Sequence, residues 1–410
     1  MKINILFLMM FAQTLIAQNY WVPLSEMDST QINSIAINTD DFIFASGPYG
    51  TYRSTDNGNQ WLKVRDGYVH NENYVLAIKK ENNFIFLGTR GQGMIRSTNN
   101  GDDWEPINNG FPWQYVDAVC VNQNGDIYFS GIGGVYRSTN NGDLWENVGL
   151  ISQNHRSIIS NKDGYIYVGI AKVDSSEAVV YRSTNNGSTW EKSDNGIDIQ
   201  TVYSLTENVN GDLYAGGYEA IYRTTNKGIS WQKTNLDSIN ADIYDLKTNN
   251  KGDIFAAAWG GGVFITSDDG QNWDAINSGL TNLTCKTLTI NSSGFAFVGS
   301  FQSGVFRSSQ TTTSIAEESN FLVNSYYLYQ NYPNPFNPST TISFYIPKTD
   351  QVKLVVYDVE GKTIETLIDG KISSGFHKII FNGSKLASGV YFYRIVTSEF
   401  INTKKLLLIK

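Results

Sequence analysis

The decapeptide Tyr136–Trp145, YRSTNNGDLW, gathers a guanidinium, hydroxyls, two amides, a carboxylate and an indole within ten residues. In a single copy such a loop would suit a nucleophile, an acid–base pair or a set of metal ligands. Self-comparison argues otherwise, because six copies end at Trp61, Trp104, Trp145, Trp190, Trp231 and Trp273. Their acidic position holds Asp56, Asn99, Asn140, Asn185, Asn226 and Asp268. No acid, nucleophile or ligand role survives exchange of carboxylate for amide unchanged. Asp and Asn share a short side chain whose oxygen accepts hydrogen bonds from turn amides. The motif therefore reads as a structural turn, in which Gly142 and its counterparts supply positive φ and each Trp packs its hairpin onto its own sheet.

The tryptophans are 43, 41, 45, 41 and 42 residues apart, a period that fits one four-stranded propeller blade. Each period runs through an alternating strand (117–121), an AsnGlyAsp turn (124–126), a second strand (127–130), a Gly-rich link, the strand with TyrArgSer, the motif turn and a last strand at the Trp. Innermost strands fall near Ile35, Ile78, Val119, Ile158, Leu205, Leu246 and Leu288, and the seventh period lacks its last strand. TrpValProLeu at 21–24 resembles TrpGluProIle at 104–107 and is expected to supply it, leaving no open sheet edge. The spacing thus predicts an all-β chain with a seven-bladed β-propeller over residues 18–310, closed by an N-terminal strand. The pattern SxDxGxxW resembles the Asp-box, or BNR repeat, of sialidase-like and sortilin-like β-propellers.

That resemblance implies a central channel lined by innermost strands and a ligand face made of the links opposite the motif turns. Two tryptophans stand outside the repeat, Trp113 and Trp259, and both fall on links of that face. Arg65, Arg90 and Arg156 are there too, whereas Arg53, Arg96, Arg137, Arg182, Arg223 and Arg307 belong to the strand before the motif turn. Asn33, Leu76, Asp117, Arg156, Tyr203, Tyr244 and Lys286, with His155, begin the innermost strands and vary while their neighbours repeat. Candidate ligand-binding residues are therefore Trp113, Trp259, Arg90, Arg156, His155, Tyr203 and Tyr244. Asp117 and Glu219 are the carboxylates that could act as acid and base, as glycosidases require. The ArgIlePro signature of sialidases is absent. No full calcium loop, His/Cys cluster or phosphate loop is present, so neither a metal nor a cofactor is expected.

The two ends of the chain have other tasks. Lys2 and the apolar run that follows, ending in LeuIleAla before Gln18, read as a signal peptide over residues 1–17. No later apolar run reaches membrane length, so the protein is not expected to span a membrane. Cys120 and Cys285 fall in corresponding strand positions and read as free thiols. The net charge of −8 divides unevenly: 20 basic against 33 acidic residues over 18–325, and 10 against 6 over 326–410. An acidic body argues against nucleic acid. After a polar linker at 311–325, residues 326–410 alternate strands and turns as a small C-terminal β-sandwich would. TyrProAsnPro at 332–335, TyrAspValGluGly at 357–361, SerGlyValTyr at 388–391 and the basic, apolar end resemble the C-terminal sorting domain of type IX secretion cargo in Bacteroidetes. This resemblance implies recognition by the type IX translocon and a secreted or surface location reached through the periplasm. The expected function is binding of an extracellular glycan or protein. A glycoside hydrolase or lyase acting at the channel mouth is the alternative.

Overall fold

The computed structural model describes residues 19–24, 27, 30–67, 74–151, 154–172, 179–236, 241–312, 326–328, 331 and 334–410. The expected signal peptide, residues 313–325 of the expected linker, and Tyr332 and Pro333 of the sorting motif lie outside them. Among the described residues there is no α-helix, and none therefore long and apolar enough to cross a membrane.

Seven four-stranded antiparallel sheets follow one another along the chain. Their innermost strands are Ser34–Ile37, Tyr74–Lys79, Val116–Val121, His155–Ser160, Val202–Glu207, Ile243–Thr248 and Cys285–Ile290. Each packs against the next, and the seventh packs against the first, so the sheets form a closed ring. The second strands, such as Ile127–Gly131, are buried almost throughout and open with apolar runs. In the seventh sheet the outer strand is Trp21–Pro23, paired with Gly304–Thr311 in the register Trp21 to Ser308, Val22 to Arg307 and Pro23 to Phe306. Trp21 is fully buried, and its Nε1 donates to the Ile276 carbonyl of the sixth sheet at 2.5 Å. The two termini of the ring are thus held by one sheet.

The motif turns have one geometry in all six copies. In the third sheet Ser138 Oγ donates to Asn140 Oδ1 at 2.8 Å, Leu144 N donates to the same oxygen at 3.0 Å, and Gly142 N donates to Ser138 Oγ at 2.8 Å. Asp56 repeats this with Ser54 and Gln60, and Asp268 with Thr266 and Asn272. Asn99, Asn185 and Asn226 receive equivalent pairs of bonds. The turn needs two successive left-handed residues, such as Asn141 (φ 61) and Gly142 (φ 90), which Asn and Gly adopt at least cost.

The tryptophans pack on their own sheets, as Trp145 does on Phe129 at 4.7 Å, and most also reach the sheet before. Trp145, Trp190 and Trp231 donate their indole N–H to carbonyls of the preceding sheet, Ile107, Val148 and Ser193, at 2.6–2.7 Å, and Trp273 donates to Thr234 Oγ1. Only Trp61 and Trp104 bond within their own turn. A second connection runs to the following sheet. Arg53, Arg96 and Arg307 donate to the left-handed carbonyls of Asn100, Asn141 and Asn57 at 2.6–2.7 Å, and Arg182 does so to Lys227. Arg223 reaches Asp269 of the next turn at 3.0 Å, while Arg137 pairs instead with Asp126 of its own sheet at 2.6 Å. The Arg307 bond joins the seventh sheet to the first.

Both cysteines are free thiols, but they do not occupy corresponding positions. Cys285 opens its strand opposite Ser300, and Cys120 lies near the end of its own, opposite Tyr128. The described residues beyond the ring form two further sheets. One has three strands, Tyr327–Leu328, Ser339–Ile346 and Gly375–Asn382. The other has four, Thr363–Ile372, Asp350–Tyr357, Gly389–Val396 and Ile401–Leu408. Phe344, Leu354, Phe381, Tyr393 and Leu406 share a core that both sheets supply. Tyr326 joins it, with its hydroxyl bonded to Asp350.

Because the Ser138 and Leu144 bonds both go to the acceptor oxygen of Asn140, Asn140→Asp should leave stability within about 0.5 kcal/mol, whereas Asn140→Leu should cost about 1–3 kcal/mol by stranding Ser138 and the Leu144 amide. Urea midpoints of the two variants check this.

Candidate functional site

A central channel of about 430 Å³ runs inside the ring of innermost strands. Its lining includes Asn33, Asp117, Arg156, Tyr203, Tyr244 and Lys286. Five of these six share a backbone irregularity. In the third to seventh sheets the pairing skips one residue, between Val116 and Ala118, His155 and Ser157, Val202 and Ser204, Ile243 and Asp245, and Cys285 and Thr287. The skipped residues are Asp117, Arg156, Tyr203, Tyr244 and Lys286. A bulge releases its extra residue from the ladder and re-aims the side chain, and here it does so five times around one channel. The second sheet pairs one to one, so Leu76 sits opposite Leu87 in the buried register of Val119; its sequence placement in this ring was two residues out of frame.

The released side chains divide into two parts. Tyr203 and Tyr244 stack at 4.8 Å with planes 10° apart, Trp259 lies 5.3 Å from Tyr244, and Phe301 lies 5.5 Å from Trp259. This aromatic strip crosses the fifth to seventh sheets. Lys286 Nζ stands 5.3 Å from the Trp259 ring centre and 5.7 Å from that of Phe301, within cation–π range. Burial raises the hydroxyl pKa values of Tyr203 and Tyr244, so both remain neutral donors. On the other side Arg90 Nε and Nη2 hold Asp117 Oδ1 at 3.0 and 2.6 Å. Asp117 is therefore an ion-paired carboxylate. Trp113, 52% exposed, lies against the Gly133 turn, where an added Cβ would meet its Cδ1 at 2.5 Å. Tyr49, Tyr115 and Tyr218 are exposed on the same set of links and turns.

His155 is placed differently from the sequence expectation. Its ring is 1% exposed, and Nδ1 meets the Gly131 carbonyl at 3.0 Å, so it packs between the third and fourth sheets and does not face a ligand. Nε2 has no hydrogen-bond partner among the described residues. Burial lowers its pKa and keeps it neutral. Arg156 beside it lines the channel and has no carboxylate partner among the described residues.

Glu219 is exposed at φ 51 in the turn between Leu213–Gly217 and Ala220–Thr224. Its neighbour Asp242, which sequence comparison did not single out, has its pKa raised by burial and then by the Glu219 charge. Asp242 also accepts a hydrogen bond from Trp259 N through its carbonyl at 2.9 Å. Asp242 and Glu219 lie where the fifth and sixth sheets adjoin. Phe301 was missed as well, since it lies in a turn that no repeat position marks. Among the described residues no group of three or more His, Cys, Asp or Glu is placed to hold a metal ion.

Comparison with known proteins adds a family for the tail and a fold for the ring. Residues 330–410 match the secretion system C-terminal sorting domain, which marks the chain for export by a type IX system. No curated protein matches the chain by sequence. Among solved structures, it is similar to PorZ, an essential bacterial surface component of the type IX secretion system of Porphyromonas gingivalis, at 16% identity and TM-score 0.51, over 92% of this chain and 60% of that one. The chain thus spans less than two thirds of the length of PorZ. It is also similar to YCF48 from Cyanidioschyzon merolae (14%, TM-score 0.54, 70% of this chain and 98% of that one). A third likeness is to virginiamycin B lyase from Staphylococcus aureus with quinupristin (13%, TM-score 0.57, 71% and 98%). These neighbours are β-propellers, and at such identities they establish the fold alone.

The lowered pKa of His155 sets the sign of a pH effect. The unfolded chain takes up a proton near pH 6.5 that the folded chain refuses, so this contribution to stability is full above that pH and is lost as pH falls towards the lower folded value. His155→Gln should flatten that part of the profile, read as the difference in urea midpoint between the two chains from pH 7.5 to 5.

Proposed function

We propose that this chain is an exported seven-bladed propeller of the Asp-box kind, residues 18–310, that binds an extracellular glycan or protein on its channel-mouth face. Residues 1–17 direct it across the inner membrane, 311–325 link, and 326–410 form a small β-sandwich read by the type IX translocon. The strip Tyr203–Tyr244–Trp259–Phe301 carries this reading. Four rings in sequence, one of them a tryptophan 39% exposed, offer large apolar contact at low conformational cost beside the channel. Trp113 and the Arg90–Asp117 pair extend the surface over the third sheet. The six motif turns, Asp56 through Asp268, serve the scaffold.

The fold does not choose between binder and enzyme: YCF48 has been solved bound to D1 peptide, and virginiamycin B lyase is an enzyme. Asp242 supports a glycoside hydrolase or lyase as the second reading. Its raised pKa and the adjacent Glu219 are what an acid–base pair needs. Binding is preferred because Asp117, the carboxylate lining the channel on the other side, is neutralised by Arg90.

A glycan array combined with a polysaccharide hydrolysis screen on the full chain separates the two. Binding without turnover, weakened at least about tenfold by Trp259→Ala as loss of a stacking ring predicts, is the expected result. Turnover abolished by Asp242→Asn would establish the second reading. Unchanged binding in both Trp113→Ala and Trp259→Ala would remove the site.

A further inference from the structure

The reading of this face as a binding surface leaves the ligand's chemistry open, and the charges around the strip narrow it. Arg156 and Lys286 are bulge residues three sheets apart, with the Tyr203–Tyr244 stack on the two innermost strands between them. Arg156 has no carboxylate partner among the described residues, and Asp117 of the preceding sheet is held by Arg90. A planar guanidinium without an acid, beside stacked rings, is suited to a carboxylate that arrives with the ligand. Lys286 places an ammonium at the other end of the strip.

The innermost strands disfavour a peptide added as a further strand. Four of the amides such a peptide would use, in the first, second, sixth and seventh sheets, are already taken by side chains of the neighbouring sheet. Leu76 N donates to Ser34 Oγ at 3.1 Å, Leu246 N to Ser204 Oγ at 3.0 Å, Leu288 N to Asp245 Oδ2 at 2.8 Å and Ile35 N to Thr287 Oγ1 at 3.2 Å. A ligand recognised through ring faces and carboxylates, without main-chain pairing, fits what remains. We propose that the strip binds an acidic oligosaccharide, with a sugar face stacked on the exposed Trp259 ring and ring carboxylates held by Arg156 and Lys286.

The test uses the full chain and oligomers of galacturonate, glucuronate and mannuronate, each as free acid and as methyl ester, with affinity read by calorimetry at two salt concentrations. At least one acid form should bind and weaken with salt, while its ester binds at least about tenfold less tightly. Arg156→Ala should weaken the acid form by a similar factor with an unchanged thermal midpoint, since the side chain is part-exposed, and should not affect the ester. Equal binding of acid and ester, or insensitivity to Arg156→Ala, overturns the carboxylate assignment. If Trp259→Ala still abolishes that binding, the face itself stands. Failure of every acid form to bind overturns the proposal, and the neutral glycan array then decides the broader reading separately.

Discussion

The structure depends on ring closure. A row of sheets with apolar second strands leaves two sticky ends unless the last sheet meets the first, and here one short strand, Trp21–Pro23, joins them. Around the rim the same task is repeated between neighbours. A tryptophan indole reaches back to the previous sheet while an arginine reaches forward to the left-handed carbonyl of the next turn. The Arg307 bond to Asn57 is this forward link across the seam. The decapeptide that resembles a catalytic loop is thus the joint between sheets, with a use for its arginine, hydroxyl, amide, glycine and indole.

With the outer rim committed to joining, variation is left to the inner ends of the sheets. There the backbone gives up one pairing per strand in five successive sheets, and the released positions carry an acid, a guanidinium, two phenols and an ammonium. Local ladder energy is exchanged for side-chain direction, as bulges beside functional sites do elsewhere. Four of the inner amides that could have paired with a ligand are satisfied from the neighbouring sheet.

Much of this was legible in the residues, and the misses have physical causes. The period near 42 residues and the exchange of Asp for Asn at one position revealed the sheets and the structural role of the turns. Register was harder to read. Asp117 and Leu76 look equivalent by distance from the next motif, but the bulge after Val116 has no counterpart in the second sheet, so one residue is released from the ladder and the other stays paired. His155 sits one residue before Arg156, and alternation alone turns its ring into the space between sheets. The joining role of Trp145 and Arg96, and the pairing of Arg90 with Asp117, link residues of different strands and are set by the closed ring. Asp242 and Phe301 lie in connections, where no periodicity marks a residue.

The central claim is that one rim holds the molecule together and the other meets the ligand. Hydroxyl-radical footprinting of the full chain, with and without a saturating acidic oligosaccharide, tests it directly. Protection confined to Trp259, Tyr203, Tyr244 and their neighbours, with the half-exposed Trp61 and Trp104 of the turn rim unchanged, is the predicted result. Protection of Trp61 and Trp104 with Trp259 left open would contradict it.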